Sequence, residues 1–159
     1  LNTNKKFNRE MINDLSSLEI TPSDIDIILL THGHKDHCEN LEIFNNAKVY
    51  LHKNFGIVSD KWHRTNEAKQ IYNTTNREFI HIESDCNIPD IKGMSAILCP
   101  QHTKDHIAYL YDNILFCGDA PKPITFAKYD IECPGHTHSG KGGVLADDVS
   151  INKKTGEPL

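Results

Sequence analysis

The sequence predicts an α/β protein, and three observations support that class. An amphipathic segment begins the chain, short apolar runs typical of strands recur after it, and loops rich in histidine and aspartate follow several of these runs. For a chain of 159 residues, a single domain is the simplest interpretation of the length. We therefore expect residues 1–159 to form a single domain.

The composition is that of an ordinary globular protein with an acidic balance. Hydrophobic residues make up 38% and charged residues 25% of the chain, and 17 basic against 22 acidic side chains give a net charge of −5. This negative net charge argues against binding of nucleic acid through the overall charge of the protein. No apolar run approaches the ~20 residues that a membrane helix needs. We expect a protein that does not associate with membranes.

Two features indicate the compartment. The first residues, LNTNKKFNRE, lack the apolar core of a signal peptide, and the five cysteines form no CxxC pair. An odd number of cysteines without paired spacing is typical of a chain kept reduced. These features predict a cytoplasmic location.

The first third of the chain predicts a helix followed by strands. Four apolar residues at helical spacing predict an amphipathic helix over 7–18. Residues 21–24 have the composition of a turn or helix cap, and the aliphatic run 25–30 predicts a strand buried on both faces. A short helix is expected at 41–44 and a strand at 47–53.

The rest of the chain alternates apolar runs with polar loops. Four runs predict strands, and they cover residues 78–83, 95–100, 107–112 and 114–119. Asp112-Asn113 is a turn pair, so the last two of these runs form an expected hairpin. Residues 131–136 repeat the pattern of a strand followed by a histidine, and a further strand pair is expected around 153–156. The polar stretch 54–77, with Trp62 and His63, is not assigned.

The stretch THGHKDH stands directly after the predicted strand 25–30. It holds His32, His34, Asp36 and His37, and imidazole and carboxylate groups are ligands that zinc and similar ions take readily. At a strand end His32 and His34 can point to the same side and share one ion. Asp36 and His37, beyond the bend, can face a second. The alternative without a metal site is a polar turn that happens to be rich in histidine.

Three more residues of ligand type stand just beyond predicted strands. His102 lies in CPQHTKDH, Asp119 in FCGDA and His136 in CPGHTH. Taken singly, each is more simply a loop residue, but a parallel or mixed sheet would bring such strand ends to one edge. We expect these three residues to complete the metal site begun by THGHKDH.

The order THGHKDH, CPQHTKDHIAYL, ILFCGDA and CPGH resembles the metallo-β-lactamase superfamily, and its glyoxalase II-like branch in particular. The resemblance covers about residues 1 to 138. It implies the αββα sandwich of that family, in a minimal form or one short at the N-terminus, because the strands that usually precede this segment are absent. The resemblance leaves open whether a second copy of the chain completes the sandwich.

The resemblance also implies a dinuclear metal site. The two ions would be held by residues in the family order, the first by His32, His34 and His102, the second by Asp36, His37 and His136, with Asp119 bridging them. Zinc is the first expectation for both ions, with iron and manganese as alternatives. A hydroxide bridging the ions would be the nucleophile, and Asp36, which could orient it, is the candidate catalytic residue.

The expected reaction is hydrolysis of a small carbonyl substrate, such as a thioester, lactone or ester. A metal-dependent nuclease or phosphodiesterase of the same superfamily is the first alternative, since the same hydroxide serves both reactions. The acidic net charge favours a small molecule. The GHTH at 135–138 also occurs in calcineurin-like phosphoesterases, but the other elements which those enzymes need are missing. A non-catalytic metal-binding protein is a further alternative.

The sequence around the other histidines and cysteines gives a weaker indication of their roles. His106 and His138 each follow a proposed ligand closely, so either could be a partner of a ligand or a substitute for one. His52, His63 and His81 lie on or beside predicted strands and are expected to be structural or surface residues. Cys117 is expected to be a small core residue.

Overall fold

The computed structural model describes residues 3–55, 77–121, 124–125, 127–135 and 151–152. The chain divides into two compact units, Leu1–His81 and Ile82–Leu159. The single domain over 1–159 stays a prediction. Several residues of interest in the sequence lie outside the described residues, namely Trp62, His63, His136 and His138.

The first unit combines a helix with a sheet of three strands. Helix α1 spans Thr3–Ser17, and strands β1, β2 and β3 span Ile27–Leu29, Lys48–His52 and Phe79–Ile82. The sheet order is β1-β2-β3, and β1 runs parallel to β2. Between them lie a one-turn helix α2, Lys35–Cys38, and a 3₁₀ helix at Glu39–Ile43.

The elements expected in this unit are present but with different ends, and helix α2 was not expected. The first helix ends before Leu18, which is 68% exposed, and the chain reverses at Glu19 with φ +59°. Residues 22–24 form a 3₁₀ turn in which the backbone N–H and hydroxyl of Thr21 both donate to the Asp24 carboxylate, at 2.8 and 2.6 Å. The Ile25 N–H donates to the Pro22 carbonyl at 3.4 Å, so Ile25 belongs to this turn and the strand begins later than expected, at Ile27.

The prediction that this strand is buried on both faces was wrong. All three residues of β1 are half-buried, whereas four of the five residues of β2 are buried. The reason is the strand order, which places β2 between its two neighbours and β1 at the edge among the described strands. The first core therefore centres on β2 and the segment after β1, and its buried members are Leu30, Cys38, Leu41, Val49 and Leu51.

The second unit is built on one sheet of six strands in chain order. These are β4 (Cys86–Asn87), β5 (Met94–Leu98), β6 (Ile107–Tyr111), β7 (Ile114–Gly118), β8 (Ile131–Pro134) and β9 (Ile151–Asn152). Every neighbouring pair is antiparallel except β7 and β8, which are parallel. The hairpin expected at Asp112-Asn113 is confirmed, with Asp112 at φ +54°.

This topology sends three strands in the same direction. Strand β5 is antiparallel to β6, which is antiparallel to β7, and β7 is parallel to β8. The carboxyl ends of β5, β7 and β8 therefore meet at one edge of the sheet, as expected for a mixed sheet. That edge carries the loop with His102, the turn with Asp119 and the backbone of Gly135, whose N–H donates to the Gly118 carbonyl at 2.9 Å.

The core of the second unit lies on one face of this sheet. Its buried members are Cys99, Ala108, Leu115, Cys117, Ala120, Ile124 and Tyr129. Cys117 is fully buried, which confirms it as a small core residue. No disulfide joins the cysteines, all of which the structure describes. Among the described residues, no helix has the length and apolar character needed to cross a membrane.

Candidate metal centre

In the first unit, the histidines of THGHKDH gather directly after β1. The backbone is not helical until Lys35, so His32 and His34, two residues apart, can project to the same side. His32 Nε2 and His34 Nδ1 lie 2.9 Å apart, and both side chains are buried, His32 completely. The Thr31 hydroxyl lies 3.1 Å from the other ring nitrogen of His32. This arrangement presents two imidazole nitrogens to one point.

The other two motif residues start helix α2. The His37 ring lies against the His32 ring, with centroids 4.2 Å apart. The Asp36 carboxylate lies 3.7 Å from His37 Nε2, and 59% of its side chain is exposed. The structure thus brings His37 to the buried pair and leaves Asp36 open to solvent and to ligands.

In the second unit, His102 and Asp119 form a matching pair at the sheet edge. His102 Nε2 lies 3.4 Å from Asp119 Oδ2, and the Asp119 side chain is completely buried. The turn that presents Asp119 depends on Gly118, whose φ of +51° is a left-handed conformation that favours glycine. The Ala120 N–H closes this turn by donating to the Cys117 carbonyl at 3.1 Å.

His106 connects the groups of this second pair. Its Nε2 accepts a hydrogen bond from the Asp119 backbone N–H at 3.2 Å, and its Nδ1 lies 2.7 Å from the Cys99 sulfur. Its ring meets the His102 ring edge to face at 5.7 Å. Both ring nitrogens have these neighbours, a geometry that favours the first of the two roles that the sequence left open, a partner of the proposed ligands.

Cys99 is a member of this group that the sequence analysis did not single out. It is completely buried, and burial raises the pKa of its thiol to about 12. No local feature of the sequence points to it, because its partner is set by strand register. Leu98 pairs with Ile107, so the next pair outward is Cys99 with His106, whose carbonyl accepts the Cys99 N–H at 3.0 Å.

The chemistry and spacing of both pairs suit a divalent ion. Zinc takes imidazole nitrogen and carboxylate oxygen at 2.0–2.2 Å in a tetrahedral shell, which puts neighbouring ligand atoms about 3.3 Å apart. The observed separations are 2.9 Å within the first pair and 3.4 Å within the second. Each pair, considered by itself, therefore fits two neighbouring positions of such a shell.

The histidines outside these groups follow the expectation for structural or surface residues. His52 is buried on β2, and its Nδ1 accepts the backbone N–H of Asn54 at 3.0 Å. His81 is exposed on β3. His136, the last expected ligand, follows Gly135 directly in the sequence and lies outside the described residues.

Comparison with known proteins identifies the class to which this fold and these residues belong. The model of the metallo-beta-lactamase superfamily matches residues 3–139, which is most of the chain. The chain belongs to that superfamily, and the resemblance inferred from its motifs is confirmed.

Individual relatives support this assignment. A protein named "Probable metallo-hydrolase" from Methanocaldococcus jannaschii is 31% identical over 117 residues, which cover 73% of this chain and 47% of that protein. A hydroxyacylglutathione hydrolase of Psychromonas ingrahamii is 28% identical over 110 residues, 66% of this chain and 36% of the relative. The chain thus spans less than half the length of these curated relatives.

The solved structures give the fold. A dizinc quorum-quenching lactonase, in complex with a product, superposes with a TM-score of 0.57 at 18% identity, covering 68% of this chain and 46% of that one. A protein described as a "putative metallo-beta-lactamase" from Thermotoga maritima superposes with a TM-score of 0.59 at 22% identity, covering 70% of this chain and 56% of that one. With the family match, this similarity confirms the expected metallo-β-lactamase fold class, with the chain shorter than the full-length structures.

Proposed function

We propose that this chain carries the metal centre of a hydrolase that attacks a small carbonyl substrate, such as a thioester or a lactone. One observation supports the proposal above the others. The buried pair His32 and His34, and the pair of half-buried His102 with buried Asp119, are each spaced as neighbouring ligands of one ion. Both stand in a chain of the metallo-β-lactamase superfamily.

The proposed centre holds two divalent ions, with zinc as the metal. The ligands are those expected from the sequence, namely His32, His34 and His102 for the first ion, Asp36, His37 and His136 for the second, and Asp119 between them. When bound, such ions lower the pKa of water towards neutrality and polarise the carbonyl oxygen under attack. The relative described as a dizinc lactonase supports the number and the metal.

The protein's own contribution is to hold and orient the reacting groups. The His32 and His34 rings are buried, so their geometry is fixed by packing and changes little when an ion binds. The Asp36 carboxylate is exposed beside His37, so it can accept a hydrogen bond from the attacking water and direct it to the substrate. Asp36 is the proposed catalytic residue.

The substrate class is argued from the named relatives and from charge. Two of those relatives are a hydroxyacylglutathione hydrolase and a lactonase. The net charge of −5 gives no bulk attraction for a nucleic acid backbone, so phosphodiester cleavage is the less favoured reaction. The buried thiols of Cys99 and Cys117 suit a reducing compartment, and we propose a cytoplasmic protein that acts as one domain.

The test combines metal content with turnover. Protein prepared with excess zinc should bind two ions by elemental analysis and hydrolyse a thioester or a lactone but not bis-nitrophenyl phosphate. Asp36→Asn should abolish turnover, whereas Asp14→Asn, the same change at an exposed position of α1, should not alter it. Phosphodiester cleavage alone would favour the nuclease, and two bound ions without turnover of any substrate would favour a non-catalytic binding protein.

A further inference from the structure

We propose that His106 is a positioning residue that fixes the Asp119 turn through the Asp119 peptide N–H, and that Cys99 sets the tautomer in which it can do so. The inference rests on the proposed function in one respect, that Asp119 is a metal ligand. It concerns how this chain holds that ligand in place, and the hydrogen bonds that carry it lie within the second unit.

The tautomer follows from the two hydrogen bonds. The Asp119 backbone N–H can only donate, so His106 Nε2, 3.2 Å away, must present its lone pair. A neutral imidazole that accepts at Nε2 carries its proton on Nδ1. That N–H points to the Cys99 sulfur at 2.7 Å, so the sulfur accepts. A ring with the proton on Nε2 would set two N–H groups against each other.

The sulfur is suited to this role because it stays a neutral thiol. Cys99 is completely buried at the end of β5, and burial raises the pKa of its thiol to about 12. A neutral thiol has lone pairs for the His106 N–H without placing a charge in the core. Cys99 and His106 are also tied through their backbones, N–H to carbonyl at 3.0 Å, so the side-chain hydrogen bond lies directly beyond the paired ends of β5 and β6.

The hydrogen bond to the Asp119 N–H adds to two hydrogen bonds that hold the turn through its neighbours. The Gly118 carbonyl accepts the Gly135 N–H at 2.9 Å, and the Cys117 carbonyl accepts the Ala120 N–H at 3.1 Å. The peptide N–H of Asp119 itself is held by His106. Since the same ring meets His102 at 5.7 Å, one side chain positions both members of the proposed ligand pair.

The first test reads the tautomer directly. The protein with ¹⁵N-labelled histidine should show His106 as an imidazole protonated on Nδ1, with Nε2 coupled across the hydrogen bond to the Asp119 amide. Cys99→Ala should shift this ring towards the other tautomer and move the Asp119 amide resonance. A proton found on Nε2 of the wild-type ring would overturn the proposal. This measurement needs no activity and can be made with or without zinc.

The second test separates positioning from mere packing. His106→Leu removes the acceptor, whereas His106→Gln keeps a carbonyl oxygen at the end of a side chain of similar reach. Zinc affinity should fall about 10–100-fold in the leucine variant, the usual cost of losing a partner of a ligand, and largely recover in the glutamine variant. His81→Leu, the same change at an exposed site, should leave zinc affinity unchanged.

The outcomes distinguish the alternatives. If both His106 variants lose zinc affinity equally, the ring acts only by packing and the proposal is wrong. If the leucine variant does not fold, the tautomer of the wild-type ring and the Cys99→Ala comparison decide the question. If the wild-type protein binds no zinc, the proposed function fails, while the tautomer measurement still tests whether His106 holds the Asp119 turn.

Discussion

Replacement of Gly118 by alanine tests how the fold presents Asp119. Gly118 is buried at the end of β7, has φ +51°, and lies where the register with β8 shifts between Phe116 and Gly118. A residue with a Cβ costs roughly 1–2 kcal/mol in this left-handed conformation. The strain acts on the residue bonded to Asp119, so we expect the alanine to disturb the carboxylate as well as the free energy of unfolding.

The chain offers a matched control in Gly93. Its φ is +86°, and a Cβ added there would lie 3.8 Å from Tyr111 Cε2, an ordinary contact. Gly93→Ala should therefore lose a similar roughly 1–2 kcal/mol from the backbone alone. For a chain of this size each kcal/mol corresponds to about 2–4 °C, so both variants should melt about 2–8 °C below the wild type.

The assay measures both quantities in parallel. Guanidinium unfolding of zinc-free protein gives the free energy of unfolding, and a competitive zinc titration gives the affinity. The two variants should be destabilised alike, but only Gly118→Ala should bind zinc more weakly. Equal loss of zinc affinity in Gly93→Ala would show a global effect of stability. A Gly118→Ala protein equal to the wild type in both measurements would refute the argument from the turn.

Three further changes have expected outcomes. Leu115→Ala should lose about 2–5 kcal/mol of unfolding free energy, measured in urea, because Leu115 is fully buried, whereas Phe116→Ala, at a side chain that is 41% exposed, should lose less than half as much. The folded-state pKa of Cys99 is raised from 9.0 to about 12, so the folded state binds its proton more tightly than the unfolded state and stability falls as pH rises from 9 towards 12. Cys99→Ala should make that decline shallower in unfolding curves taken at several pH values, and an unchanged slope would contradict the assignment. Zinc at 100 times its dissociation constant should stabilise the wild type by about 2.7 kcal/mol in calorimetry. EDTA should reverse the gain, and a full gain in His34→Ala would count against His34 as a ligand.

Strand positions were predictable because an apolar run of four to six residues leaves few other interpretations. Strands β5 to β8 lie within two residues of the expected segments. The errors occur where tertiary context overrides the local pattern. The run 25–30 is aliphatic throughout, yet β1 is half-buried because it stands at the edge of the described sheet, a position that depends on strand order and that no local pattern encodes.

The closeness of two candidate ligands was predictable for a related reason. His102 and Asp119 each follow a strand, and the mixed sheet brings those strand ends to one edge, where the two side chains lie 3.4 Å apart. The Cys99–His106 hydrogen bond was not predictable, because it depends on register. A slip of one residue would turn every side chain of the strand to the opposite face, and nothing local in CPQHTKDH fixes which residues oppose each other.

The parallel step from β7 to β8 explains why Asp119 stands where it does. Because β8 is parallel to β7, the chain must return after β7 to the edge of the sheet where β7 begins. The Asp130 and Ile131 N–H groups lie at that edge and donate to the carbonyl of Asn113, in the turn before β7. Strand β7 has five residues and is about 17 Å long. The connecting segment 119–130 can extend about 40 Å, so it is long enough to run back along β7 without the helix that usually makes such a crossover. Its described residues are not helical, and the buried Ala120, Ile124 and Tyr129 anchor it on the core of the second unit. The core thus fixes both ends of the crossover, and the first residue of that crossover is Asp119, the proposed bridging ligand.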